Sequence, residues 1–451
     1  MTLSNRGIGL NHLVRLAFLF LGLAAYAAEY RIEITQSSWE LKAGLSTEVW
    51  SYGGAVPGTP IVVRPGERVR IEVTNRLNQA TNIHWHGLVL PNDQDGPFIR
   101  IEPGATFTYD FVAGESGTYW YHPHLMPVLD QLDMGLYAPF IVLAPEDTAY
   151  SGDHTYILDD WLLDPSGQRL RGVAAGDMER YGKVETVNGK TDEAIEPLSL
   201  RAGELHKLRF INASTAAVHT IHIDGHRFRV THTDGHPLGR PYMTDRITLA
   251  PGERIDVELA ASGKEGERYE MASARRDMGI AIPVVYGKGS VPELVSPFVP
   301  PPSRAYLAAA PARPDFSLDV SSAIGGGGMG MMGGGSSMMR WTINGRSYPD
   351  TRPLDVAVGK LITMRIYNRD MMSMMMGHRM DHPMHIHGTR FQVLSINGAS
   401  PPGELWKDTI PVPIGGYVDI AFIMSNPGDW LLHCHIIDHE DGGMMTIIKA
   451  R

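Results

Sequence analysis

The sequence predicts an all-β protein made of three consecutive copies of one sandwich unit. A strand-like run bounded by turn residues recurs three times, each copy leads into a related tetrapeptide, and a second landmark closes two of the copies. At 451 residues the chain is too long for one ordinary core. It suits three domains of roughly 150 residues each.

The first strand run, Gly66 to Asn75, recurs as Gly203 to Asn212 and again as Gly359 to Asn368. The tetrapeptides that follow are His84-Trp85-His86-Gly87, His222-Ile223-Asp224-Gly225 and His385-Ile386-His387-Gly388. The closing landmark runs from Gly117 through Tyr119 to His122-Pro123-His124, and again from Gly428 through Trp430 to His433-Cys434-His435. The middle copy offers only Gly266 to Tyr269 and no histidine there, so it has lost the chemistry and reads as a spacer. Expected limits are 29–147, 148–290 and 316–451. The stretch 291–315, with Pro292, Pro297 and Pro300 to Pro302, reads as a stiff linker.

Residues 1–27 read as an export signal. Arg6 and Arg15 supply positive charge, an apolar run from Ala17 to Ala25 follows, and Ala25-Tyr26-Ala27 is an A-x-A cleavage site. The alternative is an uncleaved anchor, although the run is short for a span. A secreted or periplasmic protein without a stable membrane span is expected. Acidic residues outnumber basic ones, 50 to 40, which argues against a nucleic-acid partner. The single cysteine, Cys434, has no partner in its own chain. In an oxidising compartment such a thiol is buried or metal-bound.

Four His-x-His pairs are present: His84/His86, His122/His124, His385/His387 and His433/His435. On a strand, residues i and i+2 face one side, so each pair aims two imidazoles at one place. Imidazole suits copper and zinc, and eight imidazoles exceed what one zinc uses. The middle-copy histidines, His206, His219, His222, His226, His232 and His236, lack this pattern and read as structural or surface residues. Cys434 points away from its two flanking histidines. With His382, His439 and Met444 it makes up two imidazoles, one thiolate and one thioether, the set expected of a blue-copper electron-transfer site. Met445 is the alternative axial ligand, and spacing favours Met444.

These segments resemble the four copper signatures of the multicopper oxidases, H-x-H-G, H-x-H, H-x-x-H-x-H and H-C-H-x-x-x-H-x-x-x-x-M, and every ligand position is filled. The resemblance covers essentially the whole mature chain. It implies three cupredoxin-like Greek-key domains and four copper ions. His382, Cys434, His439 and Met444 would hold the type 1 copper, and His84 and His385 the type 2 copper. His86, His122 and His435 would hold one type 3 copper, and His124, His387 and His433 the other. Domains one and three would share the three-copper cluster, where dioxygen becomes water. Asp95 and Glu440 resemble the acids that relay protons in this family.

The third copy carries an insertion. Eight residues separate Asn75 from His84, and sixteen separate Asn368 from His385. The segment 371–380 contains Met371, Met372, Met374, Met375, Met376 and Met380, and the segment 325–339 contains five further methionines. Soft thioethers select Cu(I), and the first of these segments ends beside His382. Asp381 would add a hard ligand for departing Cu(II). The arrangement is similar to that of bacterial copper-efflux oxidases, which implies a cuprous oxidase with laccase-like activity on phenols. The competing readings are an organic-substrate laccase or bilirubin-type oxidase, with the methionines as a lid, and a non-catalytic copper-binding scaffold. A monomer is expected, because the three copies already supply the inter-domain cluster.

Overall fold

The repeated segment becomes the same strand three times. In the computed structural model, which describes residues 27–170, 180–273, 279–324, 339–370 and 380–451, the strands are Arg68–Asn75, Leu205–Asn212 and Leu361–Asn368. Each runs parallel to an earlier strand: Ala27–Lys42, Gly152–Trp161 and Phe316–Ile324. Each is antiparallel to a later one: Thr106–Val112, Arg254–Ala260 and Tyr417–Ile423. Alternation sets the faces in the first copy, where Val69, Ile71 and Val73 are buried and Arg68 and Arg70 are exposed.

The asparagine that ends each strand does the same work in all three copies. The Asn75 side-chain amide donates to the carbonyls of Gln79 and Ile101 at 2.8 and 2.9 Å, and its Oδ1 accepts from the Leu77 amide. Asn212 repeats this with Ala217, Leu249 and Ser214, and Asn368 with Met380, Val412 and Asp370. A buried amide that satisfies three backbone groups fixes the loop entering the tetrapeptide strand.

Each copy folds a second sheet over the first. In the first copy, Ile61–Val63, Ala138–Val142, Gly117–His122 and His84–His86 form a four-stranded sheet. The core between the two sheets holds Ile32, Ile71, Val73, Trp85, Tyr109 and Phe140. The second copy has sheets of six and five strands, as does the third. The architecture is all-β, as the alternating runs predicted. Glycine ends the tetrapeptide strand because the turn needs positive φ: 88° at Gly87, 74° at Gly225 and 69° at Gly388.

The repeated strand of the middle copy is more buried than its counterparts. This strand, Leu205–Asn212, is buried throughout, including Lys207 and Arg209. Those two cations bond Asp147 at 2.7 and 2.8 Å, and Arg209 also reaches Thr118 of the first copy at 3.0 Å. Residues 291–315 contain no helix or strand. Along them Phe298 packs on His232, and Tyr306 packs on Trp406 and bonds Gln392, so this segment straps the second copy to the third. No helix among the described residues is long and apolar enough to cross a membrane.

Candidate metal centre

Strand register brings the histidine pairs together. His84–His86 pairs antiparallel with Gly117–His122, so that His84 lies opposite His122. His382–Ile386 pairs antiparallel with Gly428–Cys434, so that His385 lies opposite His433. The equivalent place in the middle copy holds His222 opposite Ala272. Trp85, between His84 and His86, points into the core of the first copy. The two histidine-bearing sheets then meet: the His84 and His387 rings stack at 3.8 Å, and the His86 and His385 rings at 3.9 Å. All eight paired histidines are buried.

The partners of these rings fix which nitrogen carries a proton. His84 Nδ1 lies 3.0 Å from the Asp95 carbonyl, His385 Nδ1 2.9 Å from the Asp408 carbonyl, His122 Nδ1 2.9 Å from the Pro123 carbonyl and His433 Nδ1 3.0 Å from the Cys434 carbonyl. A carbonyl only accepts, so each of these nitrogens donates and the opposite Nε2 keeps its lone pair. His387 Nδ1 is held at 2.8 Å by the Asp95 carboxylate. His86 is reversed, with Nε2 held by Asp408 and Thr409, both at 3.2 Å, and Nδ1 turned inward. This is how histidines are oriented as metal ligands.

The inward nitrogens crowd one another. His433 Nε2 lies 3.1 Å from His387 Nε2 and 3.2 Å from His124 Nε2. Where both nitrogens carry lone pairs they repel at that distance unless a proton or a metal cation lies between them. The Nε2 atoms of His84 and His385, and both ring nitrogens of His435, are buried with no hydrogen-bond partner. Burial holds His86, His122, His124, His387 and His435 well below the ordinary imidazole pKa, which leaves them as neutral ligands. His433 is the exception: burial depresses it, but the Glu440 carboxylate more than offsets this and raises it. The same field favours a metal cation. Groups of side chains able to hold an ion include His84/His86/His122, His84/His385/His387 and His124/His387/His433. The His435 ring lies 4.9 Å from the His86 ring and 5.5 Å from the His122 ring.

On the other face of the same strand, Cys434 faces a second group. Its Sγ lies 3.8 Å from His382 Nδ1 and 3.5 Å from His439 Nδ1, and those two nitrogens are 3.1 Å apart. Met444 shares the buried cluster around Cys434, whereas Met445 is buried outside it. The Trp341 ring stacks on His439 at 3.5 Å. Two imidazoles, a thiolate and a neighbouring thioether suit copper.

Asp95 and Glu440 both touch the histidine cluster. Asp95 ties His84 of the first copy to His387 of the third, and its Oδ1 is buried with no hydrogen-bond partner. Glu440, on the helix Ile437–Asp441, places Oε1 3.3 Å from His124 Nε2 and Oε2 3.1 Å from His433 Nδ1. Burial alone would raise its pKa, and the neighbouring imidazoles hold it lower. Met380 and Asp381 line a cavity of about 510 Å³ beside Pro383, together with Tyr181, Val218 and Pro411. Met371, Met372, Met374, Met375 and Met376, residues 1–26 and residues 325–338 lie outside the described residues.

Among the described residues, no middle-copy histidine joins a metal-holding group. His206 bonds Glu204, His226 bonds Tyr286 and His219 bonds Ser214. The middle copy is nonetheless more than the spacer expected from its missing histidine pairs, because Arg254 reaches the site through Asp408. Asp408, Thr409 and Arg254 gave no sequence signal. No spacing from the histidine pairs marks them, and their place is shown by the register that sets Thr409 opposite His385 and by the Arg254–Asp408 contact.

Three family models, each described as multicopper oxidase, match residues 33–147, 152–282 and 329–451. The multicopper oxidase MmcO of Mycobacterium tuberculosis is 32% identical over 439 residues, covering 88% of this chain and 82% of that protein. A multi-copper oxidase from Pseudomonas thermotolerans superposes with a TM-score of 0.78 at 26% identity, covering 95% of this chain and 100% of that one. A Campylobacter jejuni multicopper oxidase gives 0.78 at 26% identity, covering 94% and 91%. With crowded lone pairs, a buried thiol between two imidazoles and these likenesses together, the chain belongs to the multicopper oxidase family of copper-binding oxidoreductases.

Proposed function

We propose that the protein is a cuprous oxidase with laccase-like activity on phenols, acting in copper tolerance outside the cytoplasm. The observation that carries the oxidase reading is the tripeptide His433-Cys434-His435 at the end of a strand, which presents a thiol to one donor set and two imidazoles to another. His382, Cys434, His439 and Met444 would hold a type 1 copper. His84 and His385 would hold a type 2 copper, with His86, His122, His435, His124, His387 and His433 holding the type 3 pair. Four copper ions supply one-electron redox chemistry at Cys434 and four-electron reduction of dioxygen to water at the histidine cluster.

The protein's own groups do the rest. A few covalent bonds along the backbone link the thiolate to both flanking imidazoles. Burial of both sets excludes bulk water. Asp95 and Glu440, in contact with the cluster histidines, would relay protons to it. Export is supported by the charge, apolar run and small-residue site within residues 1–27.

The donor is read from the flank of His382. Met380 and Asp381 sit at the cavity there, offering a soft ligand for incoming Cu(I) and a hard one for departing Cu(II). The Campylobacter jejuni neighbour is itself described as a metallo-oxidase. A second reading, an organic-substrate laccase, is favoured by that cavity's volume of about 510 Å³, enough for a small aromatic donor. Replacing Met371, Met372, Met374, Met375 and Met376 by leucine, which leaves Met380 bonded to Asn368, separates the two. Cu(I) oxidation should fall far more than oxidation of a small phenol, and equal loss on both would reject the cuprous assignment. A copper-loaded protein that consumes no dioxygen with either donor would instead be the non-catalytic scaffold.

A further inference from the structure

We propose that the middle domain helps hold the cluster: Arg254, acting through Asp408, fixes His86 with Nδ1 towards the metal position, so that both are positioning residues of the three-copper site. This rests on the reading of His86 as a copper ligand.

Arg254 is fully buried, and its guanidinium meets all three domains. Nε donates to the Thr118 carbonyl of the first at 3.2 Å, and one terminal nitrogen to the Gly252 carbonyl of its own domain at 3.1 Å. The two terminal nitrogens grip the Asp408 carboxylate of the third at 2.7 and 2.6 Å. Such a fork fixes the plane of the carboxylate as well as its charge.

Asp408 acts on two cluster histidines at once. Its Oδ1 accepts from His86 Nε2 at 3.2 Å and from the Thr409 hydroxyl at 2.9 Å, and its backbone carbonyl accepts from His385 Nδ1 at 2.9 Å. An ionised carboxylate only accepts, so His86 carries its proton on Nε2 and presents Nδ1 inward. Both oxygens are gripped by the guanidinium, which holds the carboxylate in the orientation that meets His86. The same middle-domain turn reaches a third histidine. Gly252 has φ +85°, and a Cβ there would lie 2.8 Å from His435 ring atoms. No side chain fits between this turn and the ring.

The competing role is a plain inter-domain ion pair, and a double variant separates the two. R254L/D408L replaces the pair with apolar side chains and removes both buried charges together. A plain tether predicts wild-type copper binding once both charges are gone. Positioning predicts that the folded variant keeps its blue absorbance per chain. It also predicts that the cluster coppers, titrated against a chelator and followed by the type 2 resonance, bind about 10–100-fold more weakly. R254K, which keeps the charge and loses the fork, should fall between the two. If the double variant does not fold, R254K decides, and unchanged cluster affinity in it overturns the proposal. Wild-type cluster affinity in R254L/D408L overturns it equally. A wild-type protein that takes up only the blue copper would overturn the copper reading of His86 itself.

Discussion

Replacing Asn368 by alanine tests whether the repeat's terminal asparagine positions the site or merely closes a sandwich. The buried side chain holds the carbonyls of Met380 and Val412 at 2.9 and 3.1 Å and the amide of Asp370 at 3.1 Å. Each lost bond costs about 1 kcal/mol net, and more where a buried group is left unpaired, so the change removes about 3–5 kcal/mol. For a domain of this size that lowers the midpoint by roughly 6–20 °C. Met380 is two residues from His382, so the loop that loses its anchor is the one that places an imidazole against Cys434. Asn212 makes the same three bonds in the middle domain, where no histidine pair follows. N212A should therefore cost similar stability and leave the blue absorbance intact, whereas N368A should lose stability and blue absorbance together. Calorimetry of the copper-free proteins and absorbance of the loaded ones measure both. Intact blue absorbance in N368A, or a midpoint shift below about 2 °C, would refute the reasoning.

Two further outcomes follow from packing and charge. G388A and G225A share positive φ, 69° and 74°, and so a common strain of about 1 kcal/mol. Only at Gly388 would the new Cβ meet a ring, Trp430 at 2.2 Å, against 3.9 Å to Tyr269 at Gly225, so thermal unfolding should show G388A far less stable than G225A. Asp147 has its carboxyl held below the usual range by Lys207 and Arg209 against the effect of burial. Its stabilisation is therefore complete above the unfolded carboxyl pKa, about 3.9, and is lost as pH falls through the lower folded value. D147N should weaken the protein at neutral pH and flatten the acid limb of its stability profile, as urea midpoints across pH would show.

The buried histidine cluster was legible in the sequence because its histidines come in i, i+2 pairs at repeated positions, although only His84/His86 lies wholly on a strand and His124, His387 and His435 follow the ends of theirs. A period of two puts His84 beside His86 and turns Cys434 away from His433 and His435, and the repeat tells which strands are equivalent. Those local rules hold whatever surrounds the strand, so the all-β class, the three copies and the histidine pairs are visible in the chain alone. The histidines' supporting partners are not. Asp95 lies 292 residues from the His387 ring it holds, and Asp408 lies 154 residues from Arg254. No spacing rule links residues that meet only when separate sandwiches dock. The middle copy shows this most clearly: its missing histidine pairs marked it as a spacer, while the packing of its Ala250–Glu253 turn against His435 and the reach of Arg254 are decided by tertiary structure. The sequence by itself determined which side chains could bind metal. Only the docked domains decided that His86 turns Nδ1 and His387 turns Nε2 to the cluster, because Asp408 and Asp95, which hold their other nitrogens, come from a different domain.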